Sequence, residues 1–327
     1  MYPYVYDRQV RTSIFKDSGL MEKIRRTRIL IPGCGALGSA VAHLALRMGF
    51  RRLRIVDHDF LDPSNYPRTT STGLLQSLSG EPKVLACMDT LLAIDPYAEV
   101  EGVYAKISWA NIGSLVEGVD VVMDGLDNLS SRLIVASEAW RKRVPYIYTG
   151  VNDRYFNVMS FIPDVTPCFE CVIGRPSGEE KGGFPVLVST VYAAASYALM
   201  YLISILKGEK RSEMLVGDVY SMTLDKVEVK DSGCKCNPAV DVGDCYVEQQ
   251  PREKTSFYTS LTRWDLESRR RILESVDCRT LWENTWLTIG YCGNSCEARV
   301  FVDGRIELDG DCSGVAGRIG GLVGCRE

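Results

Sequence analysis

With 327 residues, 46% of them hydrophobic, the chain is long enough to bury the core of one large α/β domain and a smaller appended domain. The formal net charge of −4 argues against a nucleic-acid partner, which would require a basic surface. The first residues lack the basic and then apolar pattern of a secretory signal, so we predict a cytoplasmic location in which the 12 cysteines stay reduced.

Short apolar strands alternate with helical patterns through the first half of the chain. The predicted strands lie at residues 28–32, 53–57, 99–104, 119–124 and 146–150, and the predicted helices at 36–48, from 82 onward and at 130–143. This alternation predicts an α/β fold with a doubly wound, mostly parallel, Rossmann-like sheet. Ligands of such sheets bind at the carboxyl ends of the strands.

The pattern changes after Gly150 to strands in which polar and apolar residues alternate, which indicates an antiparallel extension. These strands are predicted at residues 155–162, 214–220 and 223–229. A change of composition then predicts two domains, 1–243 and 244–327. The second is a small C-terminal domain, expected to hold a helix at 265–274 and a hairpin at 287–309.

One apolar segment, residues 186–206, carries no charged residue and is about long enough to cross a bilayer. Its serine and threonine residues and a run of three alanines suit close packing against protein. We therefore predict a buried helix or a helix at a dimer interface, and no membrane association.

A glycine-rich turn lies between the first predicted strand and the first predicted helix. Gly33, Gly35 and Gly38 match the pattern G-x-G-x-x-G. In that pattern the first glycine permits a tight turn, the second the close approach of a phosphate, and the third the packing of helix on strand. Asp57 closes the second strand, where an acid can bind ribose hydroxyls. The sequence therefore predicts a nucleotide site. The alternative is that the three glycines serve only the packing of helix on strand.

Charged residues in unusual places extend this site. Lys83 stands in the first turn of the helix that begins at Pro82, where the helix dipole disfavours a cation unless a polyphosphate is bound nearby. Asp124 and Asp127 flank the turn after the fourth predicted strand, and two carboxylates there suit magnesium. The alternatives are a solvated lysine, and an Asp127 or Asn128 that only caps the next helix.

Together these motifs resemble the ThiF/MoeB/HesA family, relatives of the ubiquitin-activating enzymes. The resemblance runs from Tyr6 to Cys236 and includes the segments YDRQ, GCGALG, DHD, GEPK and DGLDN, and the cysteine pairs. In this family the residue that matches Asp57 holds the ribose and the one that matches Asp127 positions magnesium. The cofactor-binding residues predicted for this chain are Gly33, Gly35, Gly38, Asp57, Asp59, Asn65, Arg68, Lys83, Asp124, Asp127 and Asn128.

The resemblance also implies a reaction, in which a substrate carboxylate attacks the α-phosphate of ATP to give an acyl-adenylate and pyrophosphate. The catalytic residues would be Arg8, Arg68, Lys83 and Asp127. In the family, the arginine that matches Arg8 reaches the triphosphate bound by the other protomer, which implies a homodimer. The implied cofactors are ATP and Mg²⁺, and the implied partner is a ubiquitin-like or sulfur-carrier protein that ends in Gly-Gly.

Two cysteine pairs, Cys168 with Cys171 and Cys234 with Cys236, could supply the four thiolates of a structural Zn²⁺ site. The first pair matches the family in its C-x-x-C spacing. The second pair has the spacing C-x-C, where the family has C-x-x-C. The sequence therefore predicts structural zinc with an unusual second pair.

The remaining cysteines bear on whether a thioester can form. Between Cys171 and Cys234, where relatives that form a thioester often carry the reactive cysteine, this chain has none. A thioester would need a thiol of the C-terminal region, and the candidates are Cys245, Cys278, Cys292, Cys296, Cys312 and Cys325. The segment from Cys292 to Cys296 could instead form a turn with metal or redox character. Cys34 and Cys87 are expected to be small buried residues.

Three other functions compete with adenylation of a protein. An NAD-dependent oxidoreductase would account for the glycine turn and Asp57, but not for Arg68, Lys83 or the two aspartates. A non-catalytic scaffold of the same fold would not need the charged residues. An adenylating enzyme could also act on a peptide or on a modified nucleoside in RNA; the cysteine pairs expected to bind zinc and the acidic charge favour a protein substrate.

Overall fold

The computed structural model describes residues 5–16, 19–174, 184–229, 245–250, 254–259, 264–293 and 295–323. The chain forms two units: Met1–Tyr104 with Val116–Ala239, and Ala105–Leu115 with Val240–Glu327. The predicted division into 1–243 and 244–327 assigned residues 105–115 to the first domain. In the structure this segment, which connects two strands of the first unit, groups with the second unit instead.

The first unit is built on one eight-stranded sheet in the order β3-β2-β1-β4-β5-β6-β7-β8. The strands are β1 Arg28–Pro32, β2 Arg52–Asp57, β3 Glu99–Tyr104, β4 Val121–Met123, β5 Tyr146–Asn152, β6 Tyr155–Phe161, β7 Glu213–Asp218 and β8 Thr223–Glu228. Strands β1 to β5 are parallel, and β6 to β8 continue the same sheet in antiparallel order. The predicted α/β fold with a mostly parallel central sheet is confirmed.

Helices pack on this sheet and bury its central strands. Those in contact with its strands are α3, α5, α7 and α9. The helices of the first unit are α1 Asp7–Val10, α2 Leu20–Arg26, α3 Ala36–Met48, α4 Leu74–Ser77, α5 Lys83–Ile94, α7 Leu129–Arg141, α8 Phe169–Ile173 and α9 Val188–Lys207, with α6 Ile112–Val116 at the boundary between the units and 3-10 turns at Ser13–Phe15 and Pro63–Asn65. Strands β1 and β4 are buried along almost their whole length. Parallel strands that are covered on both faces have continuous apolar sequences. For this reason β1 and β4 could be predicted from the sequence.

Helix α9 is the long apolar segment predicted at 186–206. Within the described residues it is the helix whose length and hydropathy would allow it to cross a membrane, and 56% of its apolar window is buried inside the protein. It packs against α3, β5 and β6. Ala194, Ala195 and Ala198 are fully buried at this contact, because small side chains let the helix approach closely. Tyr192 and Met200 remain exposed.

The second unit holds an antiparallel sheet of six strands in the order β11-β12-β13-β14-β10-β9. Its elements are β9 Cys245–Gln250, β10 Lys254–Thr259, α10 Leu266–Ser275, β11 Cys278–Glu283, β12 Leu287–Cys292, β13 Cys296–Phe301, β14 Ile306–Gly310 and α11 Ser313–Val323. The predicted helix is α10, and the predicted hairpin contains β12, β13 and β14. Sequence patterns did not reveal β9, β10, β11 or α11.

Candidate nucleotide site

The turn between β1 and α3 has the shape that its three glycines permit. Gly33 has a φ of +85°, and a Cβ there would lie 2.5 Å from the carbonyl oxygen of Gly125. A Cβ on Gly38 would lie 1.9 Å from the carbonyl oxygen of Gly33, so Gly38 lets α3 pack on the turn. Around Gly35, at the N-cap of α3, no atom lies within 4 Å of the place a Cβ would take. An anion can therefore approach the N–H groups at the start of the helix.

A second turn, which follows β4, lies directly against the glycine turn. The N–H of Gly125 donates to the carbonyl of Pro32 at 3.0 Å. A Cβ on Gly125 would lie 2.7 Å from the carbonyl oxygen of Gly33 and 2.7 Å from the Cα of Gly38. The sequence singled out the aspartates on either side of Gly125 but not the glycine itself. The sequence feature that could have identified Gly125 is a small residue at the end of a buried strand, in a turn that carries charged residues.

Asp57 anchors the glycine turn from the end of β2. Its Oδ2 accepts the N–H of Cys34 at 2.7 Å, and its Oδ1 accepts the N–H of Asp59 at 2.8 Å. Burial raises the pKa of Asp57 to about 6; the carboxylate of Asp59 adds to the rise, and Lys83 opposes it. A carboxylate at this position can accept hydrogen bonds from the hydroxyls of a bound ribose.

Lys83 lies beside Asp57 and Asp59. Its backbone N–H donates to the carbonyl of Asp59 at 2.8 Å, and its Nζ donates to Asp59 Oδ2 at 2.8 Å. Pro82 is the N-cap of α5 and Lys83 its first residue, which corrects the predicted helix start by one residue. The cation disfavoured by the helix dipole is thus paired with Asp59, and a bound polyphosphate would compete for it.

Asn65 and Arg68 lie on the segment that follows β2. The side-chain oxygen of Asn65 accepts the N–H of Asp62 at 3.4 Å within a capping box, and Asn65 is buried. Arg68 Nη1 donates to a carbonyl of the same turn at 2.5 Å. The N–H of Thr70 donates to Ser39 Oγ at 3.1 Å, which fixes the segment to the first turn of α3. Arg68 is therefore carried by a segment attached to the nucleotide helix.

Asp124 is not placed as a metal ligand, contrary to the prediction that it and Asp127 would flank a magnesium ion. Its side chain is fully buried and its Oδ2 lies 2.9 Å from Arg132 Nε. Its Oδ1 accepts the N–H of Leu126 at 3.0 Å. Asp127 is exposed, and its Oδ1 accepts Asn128 Nδ2 at 3.2 Å. Of the two aspartates, Asp127 is the one open to a ligand.

Asn128 does what the alternative prediction assigned to it. Its Oδ1 accepts the N–H of Ser131 at 2.8 Å and caps α7. This cap does not exclude a role at the site, because Asn128 Nδ2 also orients Asp127. Arg8 lies on α1 with its side chain exposed.

Three disulfides correct the expected reduced state of their six cysteines. Cys278 pairs with Cys292, and Cys296 with Cys312, in disulfides inside the second unit. These four are therefore not available as thioester thiols, and Cys292 and Cys296 each pair with a cysteine outside the segment that joins them. A third disulfide joins two residues of the first unit that were expected to be reduced, Cys34 and Cys87. Cytoplasmic disulfides are uncommon outside hyperthermophiles, and the location stays a prediction.

Iodoacetamide is expected to leave Cys278, Cys292, Cys296 and Cys312 unlabelled in denaturant, and to label them once a reductant is added. The disulfides span 14 and 16 residues, so each is expected to stabilise the second unit by about 3 kcal/mol. Peptide mass spectrometry checks the labelling, and melting with and without reductant checks the stability. Labelling without reductant would show that the four thiols are free.

The predicted zinc residues are only partly within the described structure. Cys168 is the N-cap of α8 and Cys171 lies in its first turn, so the two share one end of a short helix. Cys168 is disulfide-bonded, and that bond would have to be reduced for zinc to bind. Cys234 and Cys236 lie outside the described residues, as does Cys325.

Comparisons with known proteins bear on this site. The model of the ThiF family matches residues 6–237. The chain is 27% identical over 215 residues to the sulfur carrier protein ThiS adenylyltransferase of Bacillus subtilis (strain 168), covering 64% of this chain and 63% of that protein. It is 27% identical over 213 residues to the molybdopterin-synthase adenylyltransferase of Escherichia coli (strain K12), covering 65% of this chain and 82% of that protein. The chain thus spans less than two thirds of the length of the B. subtilis relative.

A solved structure with the same fold is that of E. coli MccB with AMPCPP and selenomethionine MccA. Its TM-score is 0.63 at 17% identity, over 72% of this chain and 74% of that chain. An identity this low shows the shared fold alone. The family match, by contrast, covers well over half of the chain and includes the glycine turn and the turn that carries Asp127. The chain belongs to the ThiF family.

Proposed function

We propose that this chain uses ATP to adenylate the C-terminal carboxylate of a sulfur-carrier or ubiquitin-like protein, with release of pyrophosphate. The observation that carries the proposal is the contact between the glycine turn and the turn of Asp127. Gly35 leaves the start of α3 open to phosphate, and Gly125 packs the turn that carries the exposed Asp127 against the glycine turn. Two curated relatives are named as adenylyltransferases for the sulfur-carrier protein ThiS and for molybdopterin synthase.

The chemistry asks little of the protein beyond positioning and charge. A substrate carboxylate is already ionised at neutral pH, so its attack on the α-phosphate needs no protein base. The N–H groups at the start of α3, together with Lys83 and Arg68, would bind the phosphates and neutralise charge as pyrophosphate leaves. Lys83 would exchange its partner Asp59 for a phosphate oxygen, which keeps the ammonium group paired throughout.

Asp127 fits a magnesium ion bound with the nucleotide. Magnesium binds through one or two carboxylates and substrate phosphates while it keeps several waters, and an exposed carboxylate beside a phosphate-binding turn meets that need. Asn128 orients the carboxylate through the 3.2 Å hydrogen bond to its Oδ1. When bound, the ion would neutralise charge on the phosphates. We expect removal of magnesium with a chelator to abolish adenylation.

The oxidoreductase alternative is disfavoured. A dinucleotide would use the glycine turn and Asp57. Dinucleotide binding would give no function to Lys83 at the start of α5 or to the exposed Asp127 on the adjoining turn. Binding of ATP but not NAD separates the two functions.

Exchange of labelled pyrophosphate into ATP tests the proposal directly. The protein is assayed with magnesium and with each small carrier protein of the source organism, intact or lacking its terminal Gly-Gly. Exchange should require the intact carrier terminus and should be lost in Asp127→Ala, while Asp89→Ala, an exposed carboxylate on α5, retains it. No exchange with any carrier, despite tight ATP binding, would contradict a carrier-protein substrate and favour a peptide or a scaffold role.

Structural zinc at the four cysteines is also part of the proposal, since Cys168 and Cys171 have the C-x-x-C spacing of such sites. Metal analysis of protein purified under reducing conditions should find about one zinc per chain. The Cys171→Ser variant should lose that metal. Equal zinc in both proteins would refute the site.

The affinity for ATP is expected to fall as the pH is lowered through about 6. Burial raises the pKa of Asp57 to about 6, and only the ionised carboxylate accepts hydrogen bonds from two ribose hydroxyls. Below that pH the Asp57 carboxyl group carries a proton, which it must lose when ATP binds. This loss weakens the affinity for ATP by up to about tenfold per pH unit. Calorimetry from about pH 5 to pH 8 checks this, with Asp57→Asn as reference because ATP itself titrates in this range. Equal pH slopes for both proteins would exclude Asp57 as the cause.

A further inference from the structure

We propose that Arg132 is a positioning residue for Asp127: it fixes the turn that presents the carboxylate of Asp127 to a magnesium-nucleotide complex, without touching the ligand itself. This inference rests on the proposed function, since it concerns the same site. Neither the sequence motifs nor the names of the relatives assign a role to Arg132.

The position of Arg132 is an unfavourable one for a cation. It lies in the first turn of α7, where the helix dipole opposes positive charge, and its side chain is largely buried. Placing a charged pair inside a protein costs desolvation energy that the attraction between the partners often does not recover. A lysine or an apolar residue would serve simple packing equally well. An arginine at this position therefore indicates that the site requires the several hydrogen bonds that a guanidinium group donates in fixed directions.

Those hydrogen bonds converge on the turn after β4. Arg132 Nη2 donates to the carbonyl of Leu126 at 2.5 Å and to the carbonyl of Thr149, in β5, at 3.0 Å. Its Nε lies 2.9 Å from Asp124 Oδ2, and the guanidinium carbon lies 5.0 Å from the centre of the Tyr148 ring. One side chain thus ties the turn to the neighbouring strand.

Leu126, the residue before Asp127, is held on both sides by this pair. Its carbonyl accepts from Arg132, and its N–H donates to Asp124 Oδ1 at 3.0 Å. On the other side of Asp127, Asn128 is fixed as the cap of α7. The backbone is therefore fixed immediately before and after Asp127, whose own side chain stays exposed. Asp124, predicted as a metal ligand, acts here as the partner of Arg132.

The test measures how strongly magnesium improves ATP binding, which needs no carrier protein. For each variant, calorimetry gives the ratio of the dissociation constants for ATP without and with magnesium. Arg132→Lys keeps one charge beside Asp124, but a single ammonium cannot reproduce the planar fork of contacts. We expect its ratio to fall by about tenfold or more, because a displacement of about 1 Å at such a site can cost about 10²-fold. Affinity for ATP without magnesium should change little.

Two further variants separate positioning from folding. The double variant Asp124→Asn/Arg132→Met removes both buried charges, a change that proteins often tolerate, and should melt near the wild-type temperature with a reduced magnesium ratio. Arg141→Lys, on the same helix and paired with Glu138, should behave as wild type. A folded Arg132 variant with the wild-type ratio would show that Arg132 only packs the core, and would overturn the proposal. So would a wild type whose ATP affinity does not depend on magnesium.

Failure of the proposed function gives a different pattern. In that case the wild type binds ATP with a magnesium preference but exchanges no pyrophosphate with any carrier protein. The magnesium ratios of the Arg132 variants still report on the positioning of Asp127, because they involve ATP and magnesium alone.

Discussion

Mixing the Arg8→Ala and Asp127→Ala variants is expected to restore about a quarter of the wild-type pyrophosphate exchange, although each variant alone is almost inactive. Removal of an arginine that acts from a neighbouring subunit can cost on the order of 10³-fold in phosphoryl transfer. If Arg8 serves the site of the other protomer, a mixed dimer has one site with both residues intact. Random pairing makes about half of the dimers mixed, and each has one working site of two.

The geometry of the N-terminal helix supports action between subunits. Gln9, next to Arg8, donates from its side chain to the carbonyl of Met48 at 2.9 Å. Met48 is the last residue of α3, whereas the glycine turn precedes the first. A helix of this length extends over about 20 Å, farther than an arginine side chain reaches. Arg8 is therefore at the wrong end of α3 to serve the nucleotide site of its own chain.

The surface around Arg8 is also suited to a second copy. Val5, Val10 and Ile14 are exposed apolar residues on or beside α1. A contact between copies would bury them and bring Arg8 to the partner's site. We therefore propose a homodimer, as the resemblance to the family implied.

Co-expression of two differently tagged variants, followed by purification through both tags, isolates the mixed dimer for the exchange assay. Arg11→Ala, which removes an exposed arginine paired with Asp7, is the control and should keep its activity. A mixed dimer with no more activity than its parents would show that Arg8 acts within its own chain or has no catalytic role.

Local patterns predicted the nucleotide-binding half well, and the reasons are physical. Helix α3 and strand β1 have the predicted bounds, since a glycine follows the helix and buried parallel strands form unbroken apolar runs. The glycine turn was recognisable because its spacing reflects backbone geometry. Asp57 could be predicted as well, because the same βαβ unit fixes its position at the end of the second strand.

What the sequence could not supply were contacts between residues far apart in the chain. Asp124 was assigned to magnesium because its ion pair with Arg132 could not be foreseen, since that pair depends on how α7 packs on the sheet. Disulfide pairing cannot be read from spacing, so the partners of Cys278 and Cys296 were missed. The placement of residues 105–115 with the second unit likewise depends on tertiary packing.

Gly125→Ala is expected to abolish most of the pyrophosphate exchange and to destabilise the first unit by about 1–3 kcal/mol. A Cβ at this position would lie 2.7 Å from the carbonyl oxygen of Gly33, 2.7 Å from the Cα of Gly38 and 2.9 Å from the carbonyl oxygen of Pro32. All three are backbone atoms, so no side chain can rotate away to make room. The two turns must separate, and a shift of about 1 Å between them can cost about 10²-fold in rate.

The control for this change is Gly73→Ala. Gly73 has an ordinary φ of −76°, and no atom lies within 4 Å of its hypothetical Cβ, so stability and exchange should both stay close to wild type. Melting curves and exchange rates of the two variants make the comparison. A Gly125→Ala protein as stable and as active as Gly73→Ala would mean that the two turns need not touch.

Comparison with Asp127→Ala then shows what the contact between the turns does. Loss of the Asp127 carboxylate should weaken binding of ATP with magnesium and leave the protein stable, because the side chain is exposed. Gly125→Ala displaces the glycine turn as well, so it should also weaken binding of ATP without magnesium and lower the melting temperature. If instead the two variants differ only in stability, the glycine turn binds phosphate independently of the Asp127 turn, and the contact between the turns serves to place Asp127 and to stabilise the fold.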